Sequence, residues 1–125
     1  MSTLNTVNIT NGTDSITVEG AVKGSAKAWV NFNGTGVVAI RASFNVSSIT
    51  DNGVGNYSVN FTTAMPDANY SLVATCNVDL GGSYSRVVAF PYATAPSTTS
   101  AKFITSLSTN ATVEDMQYIS VAIFR

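Results

Sequence analysis

Side chains able to carry catalysis are scarce in this sequence. The 125 residues include no histidine, so no Ser-His-Asp or Cys-His relay and no imidazole-based metal site can be built. The single cysteine, Cys76, cannot form an intrachain disulfide or a cysteine-rich zinc site. Its position in a predicted strand favours a buried apolar thiol. We therefore predict no metal site and no cofactor.

Paired carboxylates are the other chemistry to weigh, because glycosidases hold two of them at a defined separation. The chain has seven acidic residues. Asp51 and Asp67 lie in predicted turns, where aspartate commonly accepts hydrogen bonds from nearby backbone, and Glu114-Asp115 is interpreted as the start of a strand. We predict no catalytic residue and no enzyme. An enzyme acting on surface polysaccharide, with a carboxylate pair assembled across a trimer interface, is the least favoured hypothesis.

Two aromatic residues are the candidates for binding. Trp29 alternates with Val30 and Phe32, so it faces away from them, where it could stack on a sugar ring, contact a partner subunit or cover a second sheet. Tyr84 follows Gly81-Gly82 in a predicted loop and could contact a ligand or be solvated. Trp29 and Tyr84 are therefore our candidate interface or glycan-stacking residues.

Composition and charge argue against several partners. Charged residues make up 10% of the chain, against about 25% in an average protein, and the formal net charge is -1. The six Lys and Arg residues are scattered, so no basic stripe is available for nucleic acid or for an anionic membrane. No stretch approaches the roughly 20 apolar residues of a membrane span. The opening MSTLNTVNIT lacks the features of a secretory signal, so we expect assembly in a cytoplasm.

Alternation of apolar and polar residues predicts short strands separated by turns. At the N-terminus, Val7 to Val18 reads as a hairpin around the turn Asn11-Gly12, and Gly20 to Ser25 reads as a joint. We therefore divide the chain into an N-terminal arm or docking segment, residues 1–24, and one domain, residues 25–125.

The main domain is predicted to be all-β. The clearest apolar stripe runs from Val38 to Val46 and is interpreted as one long strand that forms a hairpin with the next strand, from Tyr57 to Thr62. No helical period is convincing, and Pro91 suggests a sheet edge or a strand end. Further strands are predicted at residues 27–32, 70–77, 86–92, 102–107 and 118–124. We expect an antiparallel β-sandwich, jelly-roll-like, with a short N-terminal hairpin or arm, although alternation alone does not separate a sandwich from a closed barrel.

A resemblance covers the centre of the chain. The stretch KAWVNFNGTGVVAIRASFNVSSITDNGVGNYSVNFTTAMPDANYSLVAT, residues 27–75, resembles a segment that recurs in tailed-bacteriophage tail-fibre, head-spike and other virion-surface proteins. The ending YISVAIFR, residues 118–125, is similar to the closing strand of those domains. The resemblance implies a β-sandwich, usually homotrimeric, displayed on the particle and in contact with the host surface. It carries no catalytic motif onto any position.

From this resemblance we expect a bacteriophage structural protein displayed on the virion surface, as a head spike or tail-fibre tip, after assembly in the host cytoplasm. Its expected partners are further copies of itself in a homotrimer, other virion proteins through the N-terminal arm, and a host-surface glycan. The mean hydropathy of +0.21 independently favours an oligomer, because oligomers bury apolar surface. The alternative is a capsid decoration or cement protein with no receptor binding. Neither nucleic acid nor membrane insertion is expected.

Overall fold

The computed structural model describes residues 7–77 and 85–125, and these residues are mostly in strands. The all-β class predicted from the sequence is confirmed. In chain order the elements are β1 (Asn8–Thr10), β2 (Ser15–Thr17), α1 (Val18–Gly24), β3 (Ala26–Asn33), β4 (Ala39–Phe44), β5 (Val46–Asp51), β6 (Asn56–Phe61), β7 (Ser71–Cys76), β8 (Arg86–Ala89), β9 (Ser100–Leu107) and β10 (Ile119–Phe124).

The strands from β3 to β10 form two antiparallel sheets of four strands each. The first sheet has the order β4-β3-β10-β7 and the second sheet the order β5-β6-β9-β8. The predicted antiparallel sandwich is confirmed, and its jelly-roll detail stays a prediction. Strand β8 lies at an edge of the second sheet and ends before Pro91, as the proline predicted.

The core lies between the two sheets. Phe32 of the first sheet meets Tyr57 and Phe103 of the second, with ring centroids 5.4 and 6.2 Å apart, in the edge-to-face geometry that aromatic rings prefer. The alternation predicted for β3 and β10 is confirmed, because every second residue of each strand is buried. The other buried apolar residues are Ala28, Val30, Val46, Val59, Phe61, Met65, Tyr70, Ala101, Met116, Ile119, Val121 and Ile123.

The predicted single strand from Val38 to Val46 is wrong. The chain breaks at Asn45, whose φ of 54° lies in the left-handed region that asparagine tolerates. The Asn45 amide holds this break in place: its Nδ2 donates to Lys27 O at 2.9 Å, and its Oδ1 accepts from Thr63 N at 2.7 Å. Strand β4 therefore stays in the first sheet beside β3, while β5 crosses to the second sheet and forms the hairpin with β6.

The N-terminal hairpin is confirmed, but its second strand ends earlier than predicted. Strands β1 and β2 pair around Asn11-Gly12, and Val18 then begins a helix instead of continuing the strand. Thr17 caps this helix, with its Oγ1 accepting from Gly20 N at 2.9 Å. A helix of seven residues is too short to show a period in the sequence, so α1 was missed. The division at residue 24 stays a prediction.

Candidate ligand-binding face

Four apolar side chains form a continuous strip across the outer face of the first sheet. Phe44 of β4 lies directly opposite Trp29 of β3, Trp29 lies opposite Ala122 of β10, and Ala122 lies opposite Val73 of β7. Directly opposed side chains are about 5 Å apart at their Cβ atoms. These four residues are called the apolar row below.

A second strip on the same face is polar. Asn31 of β3 lies opposite Ser120 of β10, which lies opposite Thr75 of β7. The Asn31 Nδ2 donates to Ser120 Oγ at 2.8 Å. These three residues, called the polar row below, are two positions along their strands from the apolar row, a displacement of about 7 Å. The face therefore presents an apolar row and a polar row side by side.

The two rows border a shallow depression over β3, β10 and β7, with a volume of about 400 Å³. This volume lies within the usual range of small-molecule sites, about 300–1,000 Å³. No lining residue carries a charge. The lining consists of Trp29, Val30, Asn31, Val73, Ala74, Thr75, Ser120, Val121 and Ala122.

The apolar row is open to solvent. Trp29 is 42% exposed, Phe44 55% and Val73 57%. Single exposed apolar residues are ordinary on protein surfaces, whereas a contiguous apolar strip marks a contact surface. The outer face of the first sheet is therefore the candidate functional site.

A cation lies at the polar end of this face but is already held. The Arg41 guanidinium carbon lies 4.1 Å from the centre of the Tyr118 ring, and its Nη2 donates to Gln117 O at 2.8 Å. The cation–π contact and the hydrogen bond fix the guanidinium in place. Arg41 Nη1 also donates to Asn31 Oδ1 of the polar row at 3.5 Å, so the charge borders the depression without being part of its lining.

The predicted candidates have different outcomes. Trp29 lies on the opposite face of β3 from Val30, as the alternation predicted. The structure shows that this face is the outer one, and the binding role of Trp29 stays a prediction. Tyr84 lies outside the residues that the structure describes, as does the Gly81-Gly82 turn. Sequence reasoning missed the polar row, because alternation assigns a side chain to a face but not to a cross-strand neighbour.

Asp51 and Asp67 accept hydrogen bonds from nearby backbone N–H groups in turns, as predicted. Asp51 Oδ1 accepts from Gly53 N at 2.9 Å, and Asp67 Oδ1 accepts from Asn69 N at 2.8 Å. Asp67 also forms an ion pair with Arg125, with Oδ2 and Nη2 2.5 Å apart. Arg125 and the backbone bond together lower the pKa of Asp67 to about 2.

Asp115 has a structural contact that the sequence did not predict. Glu114-Asp115 does not begin a strand; it lies in the connection between β9 and β10. There Asp115 Oδ1 accepts from the Tyr57 hydroxyl at 2.6 Å and from Gly55 N at 2.7 Å. Tyr57 is fully buried, and this burial, with the adjacent carboxylate, raises the pKa of its hydroxyl well above the usual value. The contact between Tyr57, Asp115 and Gly55 holds the β9–β10 connection against the core. It is called the buried latch below.

Other site chemistry is limited in the described ranges. Between residues 7 and 77 and between 85 and 125, no three His, Cys, Asp or Glu side chains cluster as metal ligands. Cys76 is half-buried in β7, and burial raises the pKa of its thiol. No helix in these ranges is long and apolar enough to span a membrane.

Comparison with known proteins adds no assignment. No protein-family model matches the chain, and no curated protein or solved structure matches it. A β-sandwich supports many unrelated functions, so function must be argued from the site. In this chain the site to argue from is the outer face of the first sheet.

Proposed function

We propose that the chain is a non-enzymatic structural protein displayed on a bacteriophage virion, as a head spike or tail-fibre tip, where it contacts the host cell surface. The observation that carries the contact role is the part of the apolar row formed by Trp29, Ala122 and Val73, beside an uncharged polar row. The sequence resemblance of residues 27–75 and 118–125 to virion-surface domains supports the location on the particle.

The edge of the first sheet supports a homotrimer. Strand β4 is exposed along its whole length, and Ile40 and Phe44 contribute apolar side chains there. A strand at a sheet edge also presents unpaired backbone N–H and C=O groups, which favour contact with another chain. We assign this edge to contact between copies, which leaves the depression over β3, β10 and β7 open.

The N-terminal arm has the docking role in this proposal. It contains a two-stranded hairpin and α1, and its side chains from Asn8 to Thr17 are exposed. A small unit of this kind buries little surface of its own, so a partner surface would stabilise it. Deletion of residues 1–24 should therefore abolish incorporation into particles while the sandwich still folds.

Labelling of intact particles tests the proposal directly. Purified particles of the phage that encodes the chain are labelled with a gold-conjugated antibody against the protein and viewed by electron microscopy. Gold on head spikes or fibre tips supports the proposal, and unlabelled particles contradict it.

Particles that lack the protein should adsorb poorly; particles that become fragile but adsorb normally would instead indicate a decoration protein. Light scattering should give the mass of three chains.

A further inference from the structure

We propose that the depression between the apolar row and the polar row binds a neutral oligosaccharide, with Trp29 as the stacking platform. This inference deepens the proposed function, because it names the chemical class of the host-surface partner. It rests on the proposed function only for the source of the sugar. The binding itself is a property of the isolated chain and is tested on purified protein.

The two rows match the two kinds of surface on a sugar. A pyranose ring has a face of C–H groups and a rim of hydroxyl groups. The Trp29 indole and the Val73 side chain offer apolar surface to the C–H face. The parallel polar row offers amide and hydroxyl groups to the rim. Three neighbouring strands span about 10 Å, the length of about two sugar rings.

The polar row has hydrogen-bonding capacity left for a ligand. An amide nitrogen carries two hydrogens, so Asn31 can donate one to Ser120 Oγ, 2.8 Å away, and the other to a sugar hydroxyl. Ser120 accepts that bond and keeps its own hydroxyl proton as a donor. Thr75 is exposed on the same face, where its hydroxyl is accessible to a ligand. All three side chains can therefore bond to a polar ligand.

Charge and polarity decide between possible occupants. The lining carries no charge, and the adjacent Arg41 is engaged by Tyr118, Gln117 and Asn31, so an anionic sugar or a phosphate would find no cation within the depression. A wholly apolar partner would bury the polar row without replacing its bonds to water, which is costly. A neutral sugar supplies hydroxyl groups to that row and avoids both problems.

Trp29 makes the test specific, because it is the only tryptophan in the chain. Its fluorescence emission therefore reports on this depression. The purified full-length protein is titrated with four neutral trisaccharides, maltotriose, cellotriose, triacetylchitotriose and mannotriose, and with sialyllactose as the charged comparison. At least one neutral trisaccharide should shift the emission with a Kd of about 1 mM or lower, and more tightly than sialyllactose. No response to any of the four at about 10 mM would overturn the inference.

Matched variants locate the binding. Asn31→Ala should weaken binding about tenfold, because it removes a donor from the polar row. Asn60→Ala, on the outer face of the second sheet, should leave the Kd unchanged while it removes bonds to Ser48 and Thr50. Equal weakening by both variants would overturn the inference. The Trp29→Ala variant should bind no neutral trisaccharide when binding is measured by calorimetry. The mass of this variant in solution should equal that of the parent protein.

The outcomes separate this inference from the proposed function. A change of mass in Trp29→Ala, without a loss of binding, would assign the face to a second copy and overturn the sugar site. Labelled particles whose protein binds no neutral trisaccharide would overturn this inference alone. Sugar binding by a protein that is absent from particles would contradict the proposed function and leave the binding site in place.

Discussion

The two outer faces of the sandwich differ although they cover the same core. On the second sheet the outward residues of β5 and β6 are polar and bond to one another: Asn60 Nδ2 donates to Ser48 Oγ at 3.0 Å and to Thr50 Oγ1 at 2.8 Å. Asn52 Nδ2 donates to Ser58 Oγ at 2.9 Å near the same hairpin. The first sheet instead exposes the apolar row. The β5–β6 part of the second sheet therefore has the composition of a solvated surface, whereas the outer face of the first sheet around Trp29 does not.

The contrast shows what the fold itself requires. A sandwich is stabilised by the inner faces of its sheets, and its outer faces can be polar throughout. An apolar row on the outside adds no core contact. Its continuity across the four strands of the first sheet points to a partner for that face. The predictions below ask whether stability and binding separate along this division.

The largest effect is expected from the inside of β3. Phe32→Ala should lower the free energy of unfolding by about 3–5 kcal/mol, because Phe32 is fully buried against two aromatic rings. Trp29→Ala, three positions away on the outer face, should cost less than about 1 kcal/mol. Urea denaturation of both variants measures the difference. Similar losses in the two variants would show that the outer face also supports the fold.

The buried latch should give the next largest effect. Tyr57→Phe removes the hydroxyl that donates to Asp115 and leaves a carboxylate oxygen without that bond, so we expect a loss of about 1–3 kcal/mol in stability. The exposed Tyr118 offers the control, since Tyr118→Phe keeps the ring over which Arg41 lies and should change stability by less than about 0.5 kcal/mol. Chemical denaturation checks both values, and an unchanged Tyr57→Phe would contradict the role of the latch.

A charge placed on each outer face should change binding without a large change in stability. Val73→Lys inserts an ammonium group into the apolar row, while Thr50→Lys inserts one into the polar face of the second sheet. Both positions are exposed on edge strands, so each variant should stay within about 1 kcal/mol of the parent protein. Only Val73→Lys should weaken trisaccharide binding, by about tenfold, as measured by calorimetry. Equal affinities in the two variants would remove the functional distinction between the faces.

The smallest effect concerns a contact that lies on neither face. The Arg125 guanidinium, 2.8 Å from Asp67 through its Nε, helps to lower the pKa of Asp67 from 3.8 to about 2. A lowered pKa in the folded state stabilises the protein above pH 3.8, and this contribution is lost as the pH falls towards 2. The stability difference between the parent and Asp67→Asn should therefore be small at neutral pH and vanish near pH 2. A difference that grows on acidification would contradict this assignment.

The sequence predicted the parts of this fold that depend on local alternation. Period two placed Phe32 and Trp29 on opposite faces of β3, and it identified β10 and the antiparallel class. It failed at Asn45, because one left-handed residue moves the chain to the other sheet without interrupting the apolar pattern. Alternation also cannot show a contact such as Tyr57 with Asp115, which are 58 positions apart.

The site was predicted in part for the same reason. The sequence placed Trp29 on the face opposite Val30 and Phe32, but the polar row depends on the register between β3, β10 and β7. Register is a property of strand pairing and not of any single strand. The sequence therefore supplied the candidate side chain, and the structure supplied its neighbours.

The central claim, that the outer face of the first sheet is the contact face, is tested most directly by amide chemical shifts. The isotopically labelled protein is titrated with an equimolar mixture of the four neutral trisaccharides, and the perturbed amides are mapped onto the two sheets. The account predicts shifts concentrated on β3, β10 and β7 around Trp29 and Ser120. Shifts centred on β5 and β6, or no shifts at all, would contradict it.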